Sequence, residues 1–160
     1  MKTLVTTILM TLLMSSASSA QNVSSEQKCL ALNIYYEARG SDIADQAAVS
    51  DVVLNRVKDP RYPNTVCGVI YQGNYDADGN IMRNQCQFSW YCDGKSDVPQ
   101  DPVSWLNADA LASQILNSGD FVGITQGSTH YHADYIPSPS WAITMTPVAK
   151  IGGHYFYRWE

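Results

Sequence analysis

The chain has 160 residues, 45% apolar and 16% charged, which is enough for one buried core and unlike a disordered segment. Its formal net charge of -5 argues against nucleic acid as a partner, because phosphate recognition runs on Lys and Arg. Ten Tyr, four Trp and three Phe supply either core filling with paired polar tips or flat surfaces for stacking on sugars, and composition alone favours core filling.

Lys2, the apolar run Leu4 to Met14 and the small residues Ser15 to Ala20 form a secretory signal peptide over residues 1–20. Cleavage after Ala20 leaves Gln21 as the mature start, and loss of Lys2 alone takes the charge from -5 to -6. An uncleaved anchor is the alternative, although the run falls short of the roughly 20 apolar residues of a comfortable span. Residues 21–160 are expected to fold as a single domain, monomeric and without stable membrane insertion once the signal is removed.

Ser24 and Gln27 fit a capping box, so a helix is predicted to about Ala38, ended by Gly40 in a left-handed conformation. Leu30, Ile34 and Glu37 fall in one row on it, placing a carboxylate in line with the apolar stripe. A second helix is predicted from Ile43 to Val57, capped by Ser41 or Asp42, with Ala47, Ala48, Val52 and Val53 on its apolar side. Thr65 to Tyr71 reads as a short helix. Gly73 to Asn80, with Asp78-Gly79, reads as a hairpin or loop. Gln87 to Tyr91 reads as a short strand. A third long helix is predicted from Pro102 to Leu116, closed by Gly119. Short strands are predicted at Thr129–His132, Trp141–Met145 and His154–Tyr157. Helices first and then short antiparallel strands define an α+β fold.

Cys29, Cys67, Cys86 and Cys92 all lie in the mature part, an even number consistent with two disulfides in an oxidising compartment. Three pairings are open. One joins Cys86 to Cys92 across a small loop and leaves Cys29 with Cys67. Metal ligation by these cysteines lacks the usual C-x-x-C spacing.

Glu37 is the first candidate for chemistry. Near a helix C-terminus the macrodipole disfavours negative charge, and enclosure by apolar groups disfavours it further, so the carboxyl is expected to keep its proton and act as a general acid. The plainer alternative is a surface Glu paired with Arg39 or Lys28. A second constellation is His130, His132 and His154. The first two alternate along one strand and share a face, and the third could complete a zinc site of an amidase or peptidase. No H-E-x-x-H, no G-x-S-x-G elbow and no phosphate-cradling loop occurs.

The stretch Leu30-Ala31-Leu32-Asn33-Ile34-Tyr35-Tyr36-Glu37-Ala38-Arg39-Gly40 resembles the opening signature of the SleB/CwlJ cell-wall hydrolase family. The likeness continues through Val53–Val57, Tyr62–Tyr71, Cys86–Trp90, Cys92–Gly94, Thr129–Ala133, Pro139–Trp141 and Ile151–Tyr157, in family order over nearly all of the mature chain. The resemblance implies a lysozyme-like α+β domain that cleaves the MurNAc–GlcNAc linkage of peptidoglycan glycan strands as a lytic transglycosylase. Glu37 matches the family's catalytic glutamate and would act first as acid and then as base, with no cofactor and no metal. Tyr35 and Tyr36 would flank it. Gln87, Ser89, His130 and Tyr131 would hydrogen-bond sugar groups, and Trp90 and Trp141 would stack on sugar faces, with core packing as the alternative for each aromatic. Asn55 and Arg56 are read as structural. Asp42, Asp51, Asp93 and Asp134 are candidates for an assisting second carboxylate, as in a plain muramidase. A single-domain member with a signal is expected in the periplasm or envelope of a Gram-negative bacterium, or as a phage lysis protein acting there. A wall-binding module without catalysis is the remaining alternative.

Overall fold

The computed structural model describes residues 25–160. The signal peptide, the mature start at Gln21 and the Ser24 cap lie outside the described residues. In chain order the elements are helix α1 (25–38), α2 (Ile43–Lys58), α3 (Val66–Ile70), strands β1 (Gly73–Tyr75) and β2 (Ile81–Cys86), a 3₁₀ turn (Ser89–Cys92), α4 (Pro102–Ser118), β3 (His130–Ala133), a second 3₁₀ turn (Ser140–Thr144), β4 (Thr146–Ile151) and β5 (His154–Arg158). This is the α+β layout expected from the sequence, with the β1–β2 hairpin inserted ahead of the last helix.

Local chemistry accounts for the helix ends. Gly40, at φ 86°, ends α1 in the left-handed region. Asp42 caps α2 by accepting from the Asp45 N–H, Thr65 caps α3 through the Gly68 N–H, and Asp101 caps α4 through the N–H groups of Val103 and Ser104. Gln27, expected to serve the first capping box, donates its side-chain amide to Asp109 on α4 at 3.0 Å.

Helix α2 is the shared wall of two packed regions. On one side Ala47 and Val53 join Leu30, Ile34, Val69, Ile70, Ala112 and Ile115 in the helical core. On the other Ala48 and Val52 meet Phe156 of β5, with Tyr131 and Ile151 beside them. The three-stranded antiparallel sheet runs in the order β3-β5-β4, so its inner face is mounted on α2. Two disulfides tie the helical half: Cys29–Cys67 joins α1 to α3, and Cys86–Cys92 ties the end of β2 to the 3₁₀ turn. These are the pairs in which Cys86 takes its sequence neighbour.

Two predicted strands are not strands. Gln87 to Tyr91 enters the turn Ser89–Cys92. The Cys86–Cys92 bond holds the Cα atoms 6.2 Å apart, whereas six extended residues would cover about 20 Å. Trp141 to Met145 is largely the second 3₁₀ turn. Ala142 faces inward there while Ile143 is 84% exposed, and the strand begins only at Thr146. The sequence reading missed β4 because Pro147 interrupts it, and Pro is tolerated because β4 is an edge strand.

Candidate active site

Glu37 sits in the last turn of α1, on the row of the fully buried Leu30 and Ile34, and is itself half-buried. Its Oε2 accepts a hydrogen bond from the Tyr131 hydroxyl at 3.0 Å. Burial pushes the carboxyl above its ordinary range. The Tyr131 hydrogen bond and the positive fields of His154 and Arg56 pull the other way without cancelling it. Burial likewise drives the Tyr131 phenol well above its usual range, and the neighbouring carboxylate adds to that, so Tyr131 remains a donor. Neither Arg39 nor Lys28 pairs with Glu37. Arg39 donates to the Tyr35 hydroxyl at 2.7 Å.

Tyr131 owes its position to β3 and β5. It lies opposite Phe156 in the register and meets the His154 ring edge-on at 5.2 Å. His154 Nδ1 stands 2.7 Å from Asp45 Oδ1 on α2, a buried pair. The backbone N–H of Gly153 donates to the other Asp45 oxygen at 3.2 Å. Gly152, at φ 53°, makes the approach possible, because a Cβ there would stand 2.5 Å from the Asp45 side chain.

The predicted binding residues are divided by the fold. Tyr131 alone of them hydrogen-bonds Glu37. Tyr35 is 1% exposed; its hydroxyl accepts from the N–H groups of Gln100 and Asp101, both at 3.0 Å, and so fastens α1 to the start of α4. It is a structural anchor and not a flank of the carboxyl. Trp90 is 7% exposed, with its indole N–H on Asn33 Oδ1 at 3.2 Å and its ring stacked on Tyr36 at 4.8 Å. The more exposed member of that stack is Tyr36. Gln87 and Ser89 are exposed on the connection after β2.

His130 and His132 share a face of β3, as expected, but it is the face opposite Tyr131. Trp141 covers them there, 5.4 Å from the His130 ring and 6.0 Å from that of His132. His132 also meets the Tyr157 hydroxyl at 3.1 Å. Burial, with Arg56 and Arg61 nearby, depresses His130 to about 4, so it is neutral at pH 7. His154 belongs to the inner face with Tyr131 and Phe156. The three-histidine zinc constellation is therefore not assembled. Among the described residues no group of three or more His, Cys, Asp and Glu is placed to hold a metal ion.

Each candidate for a second carboxylate is engaged elsewhere. Asp42 caps α2. Asp51 is buried and accepts from the N–H groups of Gly123 and Thr125. Asp93 pairs with Lys95 and Asp134 with Lys150. Asn55 and Arg56 reach from α2 to the segment that leads into β3. Asn55 donates to Thr125 and to the Ser128 carbonyl, and Arg56 Nε donates to the Thr129 carbonyl at 2.8 Å. The sequence reading missed Asp45. The available signal was an acid on a helix row that otherwise reads Ala48 and Val52.

A single desolvated carboxyl at the end of the first helix, held by a sheet mounted on the second, defines an α+β domain of lysozyme-like type. The chain belongs to the cell wall hydrolase family, whose family model matches residues 40–157, and it is a SleB/CwlJ-type member. Glu37 lies just ahead of the matched span. The spore cortex-lytic enzyme of Halalkalibacterium halodurans is 28% identical over 127 residues, which cover 79% of this chain and 33% of that one. The chain thus spans about a third of the length of that curated relative. The catalytic domain of the germination-specific lytic transglycosylase SleB from Bacillus anthracis superimposes with a TM-score of 0.62 at 26% identity, covering 83% of this chain and 93% of that domain. The catalytic domain of the Bacillus cereus SleB protein gives 0.59 at 27% identity, covering 84% and 91%. Among the described residues no helix is long and apolar enough to cross a membrane.

Proposed function

We propose that this chain is an exported enzyme that cleaves the MurNAc–GlcNAc linkage of peptidoglycan as a lytic transglycosylase, with Glu37 as acid and then base. The observation that carries this reading is the Glu37 carboxyl itself, desolvated at the end of α1 and held at 3.0 Å by the Tyr131 hydroxyl. Protonated Glu37 gives its proton to the glycosidic oxygen, and the bond from that oxygen to the muramoyl C1 breaks. The carboxylate then takes the proton of the muramoyl C6 hydroxyl as O6 closes on C1. The products are a 1,6-anhydro end and a free C4 hydroxyl, no water is consumed, and Glu37 is again protonated.

The engagement of Asp42, Asp51, Asp93 and Asp134 favours this route over hydrolysis, which ordinarily uses two carboxyls about 5–9.5 Å apart around the bond. The half-buried Tyr36 and the exposed Gln87 and Ser89 are the groups proposed to contact the sugars. With residues 1–20 read as an export leader, the proposed place of work is a Gram-negative periplasm or envelope, with a phage lysis protein acting there as the alternative, and the enzyme is proposed to be a monomer. The named relatives come from spore-forming bacteria.

Glu37→Gln keeps the shape and removes the transferable proton. Lysis of purified sacculi should fall by at least about a hundredfold while the circular dichroism spectrum is unchanged. Mass spectrometry of the wild-type digest should find 1,6-anhydro ends. Reducing ends would point to a muramidase, and binding without soluble products would point to a wall-binding module.

A further inference from the structure

Tyr36, the residue before Glu37 on the last turn of α1, begins a run of aromatic rings over the helical half. Its ring stacks on Trp90 at 4.8 Å, Trp90 meets Tyr91 edge-on at 6.1 Å, and Tyr91 lies 4.5 Å from Tyr71. Tyr36, Tyr71 and Tyr91 are half-buried, and Trp90 among them is buried. The rings come from α1, from the residue that ends α3 and from the 3₁₀ turn closed by the Cys86–Cys92 bond. The Gln87 N–H ties the entry of that turn to the Gln72 carbonyl at 2.9 Å, and the Tyr75 hydroxyl donates to the Tyr71 carbonyl at 2.8 Å. Asp97 stands beside this run. The Tyr36 hydroxyl reaches the carbonyl of Ser96, the residue before it, at 3.5 Å. Asp97 is half-buried, yet among the described residues it makes no ion pair. Lys95 is engaged by Asp93 at 3.2 Å. Burial, and after it the like charge of Asp93, push the Asp97 carboxyl above its ordinary range, and no hydrogen bond opposes them. Burial and then the charge of Asp97 raise the phenols of Tyr36 and Tyr71. Tyr91, hydrogen-bonded to Tyr75, is pushed up to about 12. The phenols therefore stay protonated, and the acid among them is free to accept from an outside donor.

We infer that Tyr36, Tyr71, Tyr91 and Asp97 form a subsite for an N-acetylglucosamine unit of the glycan, the rings stacking on its apolar faces and the Asp97 carboxylate accepting from its hydroxyls. The inference rests on the proposed glycan-cleaving function and names the sugar that this part of the site holds. The run starts at the neighbour of Glu37 and includes Trp90 and Tyr91, which follow Gln87 and Ser89 on the same connection. It is thus continuous with the groups proposed to contact the substrate. Tyrosine offers a flat apolar body with a polar tip, the combination a sugar ring presents in reverse. A carboxylate has two oxygens, enough to accept from two neighbouring hydroxyls at once, and hydrogen bonds to a charged group are the stronger kind. Rings fixed by the disulfide and by backbone hydrogen bonds lose little freedom when a sugar settles on them. Charge selects between the two units of the polymer. N-acetylglucosamine is neutral. The muramoyl unit carries a lactyl arm with an acidic stem peptide, which would meet the like charges of Asp97 and Asp93, while Lys95 is already engaged.

The probe is chitotetraose, a neutral oligomer of N-acetylglucosamine, titrated into the mature Glu37→Gln protein with carbon-labelled tyrosine rings and followed by NMR. The resonances of Tyr36, Tyr71 and Tyr91 should shift together and saturate, while those of Tyr135 and Tyr155 in the sheet half stay in place. Asp97→Ala should weaken binding by about tenfold or more, and Asp97→Asn, which keeps one acceptor oxygen, should recover part of the loss. Because Asp97 makes no ion pair in the free protein, neither variant should lower the melting temperature, whereas a structural role would. With Glu37 restored and sacculi as substrate, Asp97→Ala should raise the apparent KM by roughly tenfold and leave kcat within about twofold. N-acetylmuramoyl dipeptide should bind at least about tenfold more weakly than chitotetraose at these rings. Rings of Tyr71 and Tyr91 unmoved by chitotetraose, Asp97→Ala binding as tightly as its parent, or equal binding of the muramoyl dipeptide would overturn the inference. Lysis retained in Glu37→Gln would instead remove the acid role and leave the chitotetraose titration standing.

Discussion

At the level of single residues, the acid at the end of α1 sits where a free-standing carboxylate is least at ease. The last helical turn presents carbonyl oxygens, and the side chain continues an apolar row. Burial therefore raises the folded-state proton affinity of Glu37 above that of the unfolded chain. The sign for stability follows by linkage. A carboxyl that binds its proton more tightly when folded weakens the fold as pH rises through its folded midpoint, and has no such effect below the unfolded range. Glu37→Gln should therefore melt at a higher temperature than wild type at neutral pH, with the difference shrinking toward zero as the buffer is acidified below the ordinary carboxyl range. Melting curves at a series of pH values check this, and a Gln variant less stable at every pH would contradict the desolvated carboxyl.

At the level of elements, α2 positions the site because it touches both halves, and the turn between β4 and β5 must come close enough to meet it. Gly152→Ala would force a Cβ to within 2.5 Å of Asp45 in a left-handed conformation, so the variant should lose about 1–3 kcal/mol and part the Asp45–His154 pair behind Tyr131. Denaturant unfolding together with lysis rate measures both effects. The disulfides act on the other half. Cys29–Cys67 closes a separation of 38 residues and Cys86–Cys92 one of 6. The chain-entropy model therefore gives about 4 kcal/mol for the first and about 2 for the second, and Cys67→Ala paired with Cys29→Ala should be the more damaging double variant. What was legible in the sequence follows the same division. Local signals placed the longer helices, since Gly40, the Ser41 or Asp42 cap, Pro102 and Gly119 act within a few residues of themselves, whereas the sequence reading missed the caps Thr65 and Asp101. The short segments failed where distant partners decide: Gln87–Tyr91 is bent by a disulfide, and Trp141–Met145 is folded over a histidine face that only the sheet creates. Glu37 could be singled out from its row and its family likeness. The sorting of His130 and Trp141 to one face and Tyr131 to the other was implicit in strand alternation, but Asp45 and the bond from Arg56 to the Thr129 carbonyl depend on packing that no local pattern encodes.

For the whole molecule, two opposing titrations bound the conditions in which it works. His130 is depressed to about 4 by burial and by Arg56 and Arg61, against about 6.5 when unfolded. The folded state thus binds fewer protons at this position, and the resulting stability is complete above the unfolded value and drains away as pH falls from there toward 4. Asp59, Asp101 and Asp134, whose partners lower their proton affinity, lose their contribution over the more acidic range. On the proposed acid role, Glu37 would impose the other boundary, because proton donation would fail as pH rises through its raised midpoint. Lysis should therefore show an alkaline limb set by chemistry and an acid limb set by unfolding, each identifiable by its own variant. His130→Gln should flatten the acid fall in melting temperature between about pH 6 and 4 and leave the alkaline limb of lysis where it was. Tyr131→Phe, which removes the donor to the Glu37 carboxylate, should move the alkaline limb upward and lower the plateau. Parallel pH series of melting temperature and of lysis rate on sacculi give both limbs. An acid limb that moves with Tyr131 or an alkaline limb that moves with His130 would mean that the two faces of β3 are not the independent units their contacts describe.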